Sequence, residues 1–589
     1  MKKTKLKSKA SRVSMSLLAC LLSVGVGLPS FAASAAAVPK SYMEDAEGRY
    51  VSDYSSVEEA HEAGRKLNEQ IMEESITLLK NENQTLPFAK DIKNISVFGK
   101  HSVDFSYISR SNPRQTMDTQ YLSLQDSLKE AGFNVNPMLE DFYRHYDYKG
   151  FEFSHPEFNA GVDLLAMKAN NSPYTKTRTI KNPIKVSAAQ HKMSVLQPDV
   201  EEFDDYNLSN SFKRYNDAAL VVLGNRGSSN FMYSRGWNDS PTLNNEKDIE
   251  ATLATYSDPA DYYNHLFQLT QSERDLIDYV SGKFENVVVL INSAESWDIP
   301  DLVENKGVDS ILYMAVPGTD GIMALGRILN GEVNPSGRVA NMFVTDTTKN
   351  PQWQNQGTNA HTSATAETAI TFTNEKWDAT KALSDNTDQN IYQEYEEGIY
   401  IGSKYYETRG WEMGGKEGDW TWYDKNVVYP LGHGLSYTEF EWELANTSHS
   451  DNAVLKANDV VTIEVKVTNT GNVAGKDVVE LYYTAPYTPG GVEKAFVNLA
   501  GFEKTKILKP GQSQILSFEL RAQDMASYDW DNSSGMGKNA HGEWGQYILD
   551  EGNYQIRLMR NSNVRSEQLG LTVTVPVGGY KFDKDKDSG

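Results

Sequence analysis

Runs of mostly apolar residues punctuate the first part of the chain. They lie at Ile95–Gly99, Ala218–Gly224, Val287–Asn292 and Ser310–Met314. A run of this length, bounded by turn residues, is typical of a strand buried on both faces, and amphipathic stretches separate the four runs. The pattern therefore predicts an α/β domain, in which helices cover both faces of a sheet.

Two helices are predicted on this sheet. Residues 57–80 intersperse charge with apolar residues, as expected of one helix lying on the sheet, and the turn-forming residues 81–87 end it. Its apolar positions are Ala60, Leu67, Ile71, Ile76, Leu78 and Leu79. Thr270 and Glu273 form a capping box, which predicts that a helix over residues 272–282 begins there.

Near Gly432 the pattern changes to alternation of apolar and polar residues. Every second residue is apolar in Val461–Val467, Leu516–Leu520 and Tyr554–Leu558, and turn-forming residues separate these stretches. This alternation predicts an antiparallel β-sandwich of roughly 130 residues.

Charge limits the partners of the protein. The 589 residues carry a formal charge of −23, and the first 37 carry six positive charges and no acid, so taking these six away leaves −29 for the rest. Such an acidic surface repels phosphate backbones, which argues against nucleic acid as a partner. A neutral sugar is compatible with it. The 32 Tyr and 10 Trp fit either a sugar site or a Tyr-rich β-structure.

Residues 1–37 have the parts of an export signal: a basic start, the apolar run Val13–Phe31 and small residues at the end. This signal, with cleavage expected after Ala35 or Ala37, predicts a bacterial protein that is secreted or associated with the cell surface. Cys20, the single cysteine, leaves a lipoprotein or an uncleaved anchor as alternatives. Once the signal is removed no cysteine remains, so disulfides and a Cys-based metal site are not expected.

Several stretches together resemble family-3 glycoside hydrolases of the β-glucosidase type. They are Glu74–Asn83 with Leu86-Pro87, Pro317–Gly321 with Leu329–Arg338, Tyr395–Gly402 with Tyr429–Tyr437, and Val467–Gly471 with Leu499–Phe502 and Leu508–Gly511. Their order and spacing agree with the family from about Gly64 to Leu558, so the resemblance covers most of the chain.

The resemblance implies an α/β-sandwich domain over residues 57–440 and an all-β fibronectin type III-like domain over residues 441–576. A signal peptide and a linker at 38–56 precede these domains, and a charged tail at 577–589 follows them. Asn334–Arg338 lies in the most recognisable motif of the family. Because its Pro fixes φ and its Gly permits a positive φ, we interpret it as a structural turn that packs the two domains.

A catalytic barrel is also implied. The family is known for retaining hydrolysis by two carboxyl groups, with an Asp nucleophile on a (β/α)₈ barrel that comes before or, in a permuted branch, after these domains. A barrel needs about 250 residues, whereas 31 residues follow Leu558. We therefore expect a truncated form of the permuted branch, whose barrel lies in the full gene or on a partner chain. The catalytic residues are unknown.

Two loops depart from the family pattern. After Val222–Gly224, relatives have a Gly-Gly-Glu-Gly-type run whose Glu can supply the acid/base, and here Ser229 stands at that position. Ser109–Pro113 replaces a Gly-rich loop, and Asp239 or Glu246 are alternative acids.

Three hypotheses stay open: an enzyme acting on β-linked glucosides or xylosides, a module that binds sugar without cleaving it, and a structural role at the cell surface.

A sugar site is predicted at the carboxyl ends of the strands, in loops 100–114, 224–237 and 292–297, because ligands of α/β sheets collect there. The predicted substrate-binding residues are Arg110, Arg226, Asn230 and Trp237, with Tyr233, Arg235 and Trp297 beside them. Such planar donors and aromatic faces suit sugar hydroxyls and C–H faces. Alternatively, the Arg side chains pair with acids and the Trp rings pack between loops.

No cofactor and no metal site are expected, because no cluster of His, Cys and carboxylates has metal-ligand spacing.

Overall fold

The structure is a computed structural model of the chain. It describes residues 53–103, 105–107, 122–146, 197–224, 268–352, 395–539, 542 and 544–582, together with the backbone of 151–153 and 184–186. None of the helices in these ranges is long and apolar enough to cross a membrane.

The α-helices in the described residues lie in the first part of the chain, before the β-sandwich. They are α1 (Val57–Ser75), α2 (Leu124–Glu130), α3 (Pro137–His145), α4 (Glu202–Asp205), α5 (Ser209–Phe212), α6 (Gln271–Ser281), α7 (Pro300–Glu304), α8 (Met323–Leu329), α9 (Ser403–Glu412) and α10 (Thr421–Asn426). The capping box at Thr270 is confirmed, since its side chain accepts a hydrogen bond from the Glu273 N–H and the Glu273 carboxylate accepts one in return.

The strands of this part form one large sheet and two small ones. They are β1 (Thr77–Asn81), β2 (Asn94–Phe98), β3 (Asn134–Val135), β4 (Phe151–Phe153), β5 (Ile184–Val186), β6 (Ala218–Gly224), β7 (Val287–Asn292), β8 (Ser310–Met314), β9 (Phe343–Val344) and β10 (Val427–Tyr429). The large sheet has the order β1-β8-β7-β6-β2-β3, with β1 antiparallel to its neighbour and the other strands parallel.

Both faces of the large sheet are buried, as the apolar runs predict. Along β6, Ala219, Val221 and Leu223 join a core with α3 to α7, while the alternate residues join a second core with α1, α2 and α8. The predicted strands at Ala218–Gly224, Val287–Asn292 and Ser310–Met314 are confirmed at both ends. The α/β class follows from this arrangement.

The single helix predicted over residues 57–80 is wrong in its second part. Helix α1 ends at Ser75, and Thr77–Asn81 is the strand β1, whose first four residues are buried in the sheet beside β8. Consecutive apolar residues suit such a strand, since both of its faces meet the core. Leu67 and Ile71, expected to face the sheet, are 47% and 41% exposed.

The second domain is a β-sandwich. Its strands are β11 (Phe440–Thr447), β12 (Ala453–Val454), β13 (Val460–Asn469), β14 (Val478–Thr484), β15 (Asn498–Lys504), β16 (Ser513–Arg521), β17 (Ser527–Asp529), β18 (Gln546–Leu549), β19 (Gly552–Met559), β20 (Glu567–Val575) and β21 (Tyr580–Phe582). A sheet β11-β13-β16 faces a sheet β12-β20-β19-β14-β15 over a shared core. The pairing is antiparallel as predicted, apart from the parallel pair β12 and β20.

A third, small sheet has the order β17-β18-β21. Its last strand, Tyr580–Phe582, pairs with β18 and lies within residues 577–589, which the sequence analysis assigned to a charged tail. Residues Asp583 to Gly589 lie outside the described part of the chain.

The turn Asn334–Arg338 joins the two domains, which confirms its interpretation as a packing element. The Asn334 side chain accepts hydrogen bonds from the Tyr437 N–H (2.8 Å) and the Ser436 hydroxyl (2.9 Å), and it donates one to the Ala474 carbonyl (3.1 Å). Gly337 is required for close approach rather than for a positive φ: a Cβ there would lie 2.4 Å from the carbonyl oxygen of Ser75.

Candidate functional site

Three loops leave the large sheet at the carboxyl ends of its parallel strands, an end that we call the carboxyl edge. β2 runs into Gly99 and the 3₁₀ turn Lys100–Ser102, β6 ends at Gly224, and β7 ends at Asn292. These are the bases of the three loops predicted to hold a sugar. In sheets of this kind, ligands bind in the crevice outside this edge.

Asn292 links the base of the first loop to the strands beside it. Its amide nitrogen donates hydrogen bonds to the carbonyls of Ser106 (3.2 Å) and Ala315 (2.8 Å). Its amide oxygen accepts from the Ser106 N–H (2.8 Å) and lies 2.8 Å from Nε2 of His101. Because that oxygen only accepts, the His101 ring carries its proton on Nε2. One fully buried amide thus holds the ends of β2, β7 and β8 together.

Two positions at the same edge require glycine, because other atoms of the chain lie too close for a Cβ. A Cβ on Gly224 would lie 2.2 Å from Nε2 of His101, and a Cβ on Gly99 would lie 2.3 Å from the carbonyl oxygen of Val222. Gly99 also has a φ of 97°, in the region that favours glycine. The loop that begins after Gly224 therefore starts directly against the His101 ring.

Lys100 is buried at this edge. Its backbone N–H donates to the Gln197 side-chain oxygen (2.9 Å), and its ammonium donates to the Tyr143 carbonyl. These contacts anchor the base of the first loop to α3 and to the segment before α4.

Glu295 lies in the loop after β7 and is half-buried, and burial raises the pKa of its carboxyl. Its N–H donates to the Ser293 hydroxyl (3.1 Å), which keeps the loop compact. A carboxyl that keeps its proton to higher pH meets one requirement of a general acid. Asp239 and Glu246, the acids considered in the sequence analysis, lie outside the described residues.

Trp297 does not present its ring to a ligand, so for this residue the packing alternative is confirmed. It is 3% exposed, and its indole N–H donates to the Ser293 hydroxyl (3.1 Å). Next to it, Asp298 accepts hydrogen bonds from the Thr347 N–H (2.8 Å) and hydroxyl (2.5 Å), which ties this loop to the segment after β9.

The four predicted substrate-binding residues Arg110, Arg226, Asn230 and Trp237 lie outside the described residues, as do Tyr233, Arg235 and Ser229. They remain predictions. The structure brings together the bases of their loops and adds His101, Asn292 and Glu295, which the sequence analysis did not single out. A usable signal existed: each is a polar residue at or shortly after the end of a buried strand. Within the described ranges, no three His, Cys, Asp or Glu side chains are grouped to hold a metal ion.

Comparison with known families gives two matches. Residues 76–437 match the glycosyl hydrolase family 3 C-terminal domain, and residues 477–562 match the fibronectin type III-like domain. The first match covers the large sheet with its carboxyl edge, and the second covers much of the β-sandwich.

Similar curated proteins are β-glucosidases. Beta-glucosidase A of Butyrivibrio fibrisolvens is 29% identical over 368 residues, which are 60% of this chain and 37% of that protein. Thermostable beta-glucosidase B of Acetivibrio thermocellus is 28% identical over 326 residues, which are 52% of this chain and 36% of that protein. The chain thus spans little more than a third of the length of these two relatives.

Solved structures share the fold. Beta-glucosidase 3B of Thermotoga neapolitana superposes with a TM-score of 0.56 at 22% identity, covering 91% of this chain and 56% of that one. A β-glucosidase of Paenibacillus barengoltzii does so with a TM-score of 0.57 at 23% identity, covering 88% and 44%. Since the family match takes in more than half of its residues, the chain belongs to glycosyl hydrolase family 3.

Proposed function

We propose that this chain takes part in the hydrolysis of β-linked glucosides, as the part of a β-glucosidase that closes one side of the sugar site. The match of residues 76–437 to the C-terminal domain of the family carries the proposal. The named relatives are β-glucosidases, and the T. neapolitana enzyme has a structure in complex with glucose. In this chain, the carboxyl edge held by Asn292 is the surface that would face the sugar.

The nucleophile comes from outside these two domains in this proposal. A retaining glycosidase needs two carboxyl groups roughly 5–5.5 Å apart. Glu295, with its raised pKa, has the character of a proton donor, and the second carboxylate is provided by a (β/α)₈ barrel encoded in the full gene or carried by a partner chain. A β-xyloside is the second substrate class to test.

The isolated chain is expected to hydrolyse aryl β-glucosides and aryl β-xylosides no faster than buffer, because in this proposal the nucleophile lies on the barrel. The rate of hydrolysis is measured by the absorbance of the released aryl group, with protein purified by size exclusion. The same chain joined to, or mixed with, the barrel should turn over the glucoside. Glu295→Gln serves as the matched variant, since it keeps the shape of the side chain and removes its proton.

Two outcomes would overturn parts of this proposal. Turnover by the isolated chain that is lost in Glu295→Gln would show that the chain is catalytically complete. A gene that stops after codon 589, no barrel co-purifying with the chain, and glucose binding in a titration would favour a module that holds sugar without cleaving it.

We also propose that the protein acts outside the bacterial cell. The support is the tripartite pattern of residues 1–37. Protein recovered from the culture medium is expected to begin at Ala36 or Val38, as read by N-terminal sequencing. A membrane-bound form acylated at Cys20 would instead support the lipoprotein alternative, and intact protein with Met1 in the cell interior would contradict export.

A further inference from the structure

Two tryptophans of the β-sandwich are exposed to solvent. Trp530 is 70% exposed and Trp544 is 56% exposed, whereas the five other tryptophans in the described part of the chain are buried or half-buried. Removing an indole from water is favourable, so two exposed indoles leave this free energy available to a ligand that covers them. Clustered exposed rings are typical of a binding surface.

The two tryptophans lie in the connection between the two strands of one hairpin of the small sheet. Trp530 directly follows β17, and Trp544 lies two residues before β18. Tyr528 and Tyr547 stand opposite each other on these strands, with ring centroids 5.1 Å apart, and they are 53% and 39% exposed. We call Tyr528, Trp530, Trp544 and Tyr547 the aromatic patch.

Hydrogen bonds hold residues 529–537, at the start of the loop between the two tryptophans, in place. Asp529, which is 1% exposed, accepts from the Ser533 N–H (2.9 Å). Gln546, 4% exposed, donates to the Gly537 carbonyl (2.7 Å), and Asn532 accepts from the Gly537 N–H (2.6 Å). The rings are therefore presented by a fixed support, which lowers the entropy lost when a ligand binds.

The chemistry of the aromatic patch favours a neutral sugar chain. Ring faces contact the C–H faces of pyranoses, and the two phenol groups can exchange hydrogen bonds with hydroxyls. Polyanions are disfavoured by the formal charge of −23. Lys538 lies 5.0 Å from the centroid of the Trp544 ring, in a cation–π contact with it.

We propose that the aromatic patch binds a β-linked glucan chain and holds the protein on its polymeric substrate. The patch lies on the β-sandwich, in a different domain from the carboxyl edge, so it adds a second sugar contact. The choice of a β-linked glucan rests on the proposed function, while the presence of a sugar platform rests on the exposed rings alone.

Affinity electrophoresis of the full chain through gels containing hydroxyethyl cellulose tests this. The wild type is expected to be retarded, and the double variant Trp530→Ala/Trp544→Ala to show a dissociation constant higher by about tenfold or more. Phe502→Ala, which removes an exposed aromatic ring on β15 outside the patch, is the matched control and should migrate like the wild type. Equal melting temperatures of the three proteins establish that the fold is kept.

Three results would overturn the proposal. They are a wild type that is not retarded, a double variant that is retarded as much as the wild type, and retardation that falls equally in Phe502→Ala. Sedimentation of the wild type as a dimer that the double variant abolishes would assign the patch to a second copy of the chain instead. Because the assay measures binding without turnover, a chain that hydrolyses glucosides with its barrel but ignores the polymer refutes the patch and leaves the proposed function standing.

Discussion

Replacing Asp477 with Ala is expected to lower the free energy of unfolding by about 3–5 kcal/mol, because it leaves a buried guanidinium without its partner. Asp477 is 1% exposed and accepts hydrogen bonds from Arg338 (3.0 Å) and from the Trp442 indole N–H (2.7 Å). The side chain of Arg338 is 13% exposed, so water can replace the lost carboxylate only in part.

The effect should reach both domains. Arg338 belongs to the turn that ends the family motif of the α/β domain, whereas Asp477 lies at the start of β14 in the β-sandwich. A second ion group repeats this arrangement, since the Lys504 ammonium donates to Glu74 (3.1 Å) and to the Ser336 hydroxyl (3.1 Å) across the same boundary. Losing Asp477 therefore weakens the packing of the domains on each other as well as the fold of each.

Urea unfolding followed by tryptophan fluorescence and by circular dichroism measures the change. Glu443→Gln is the control: Glu443 pairs with Lys466 across two strands of the same sandwich (2.9 Å), but their side chains are 66% and 44% exposed. An exposed pair contributes about 0–1 kcal/mol. A loss in Asp477→Ala no larger than that in Glu443→Gln would refute a structural role for the buried pair.

Much of the fold follows from local patterns in the sequence. The run Ala218–Gly224 predicts a strand with both faces covered, and the alternation in Val461–Val467 predicts a strand with one face in a core, and both are confirmed. Both predictions use only the spacing of apolar residues within one short stretch of the sequence. The error at 77–81 has the same origin, because a short apolar run after a helix fits a last helical turn as well as a strand.

The contacts that shape the site depend on distant residues. His101 and Asn292 are 191 positions apart, and no periodicity connects them. The meeting of the three loop bases at one edge is predicted correctly, because a parallel sheet brings its strand ends together; the sugar site at this edge stays a prediction. The sequence does not show that Asn292 is the residue that links these strand ends. That role depends on how deeply each strand end is buried in the folded protein. Trp297 and Trp530 show the same limit: both follow a strand, yet one is buried and the other is 70% exposed.

A second large effect concerns pH. Glu407 on α9 is fully buried, and burial raises the pKa of its carboxyl to about 7, although hydrogen bonds from Tyr423 (2.6 Å) and Ser562 (2.7 Å) partly oppose this. The folded protein therefore binds the proton of Glu407 more tightly than the unfolded chain, in which the pKa is near 4.5. The stability that this proton contributes is complete below about pH 4.5 and is lost as the pH rises through 7.

The expected loss from this group is about 3 kcal/mol between pH 4.5 and 8. Two other buried groups titrate in the same range. Burial also raises the pKa of Glu480 to about 7, which acts in the same direction, while burial lowers the pKa of His433 to about 4, which adds stability as the pH rises from 4 to 6.5. Wild-type unfolding alone therefore mixes several contributions.

Glu407→Gln isolates one of them, since an amide of similar shape does not titrate. Urea unfolding at pH 5 and pH 8 should show a pH dependence that is shallower in this variant than in the wild type by about 2.5 kcal/mol. Glu412→Gln, at the exposed end of the same helix, should leave the dependence unchanged. If Glu407→Gln instead loses equal stability at both pH values, then the carboxyl is ionised throughout and its three hydrogen-bond donors, the third being Asn563, outweigh its burial.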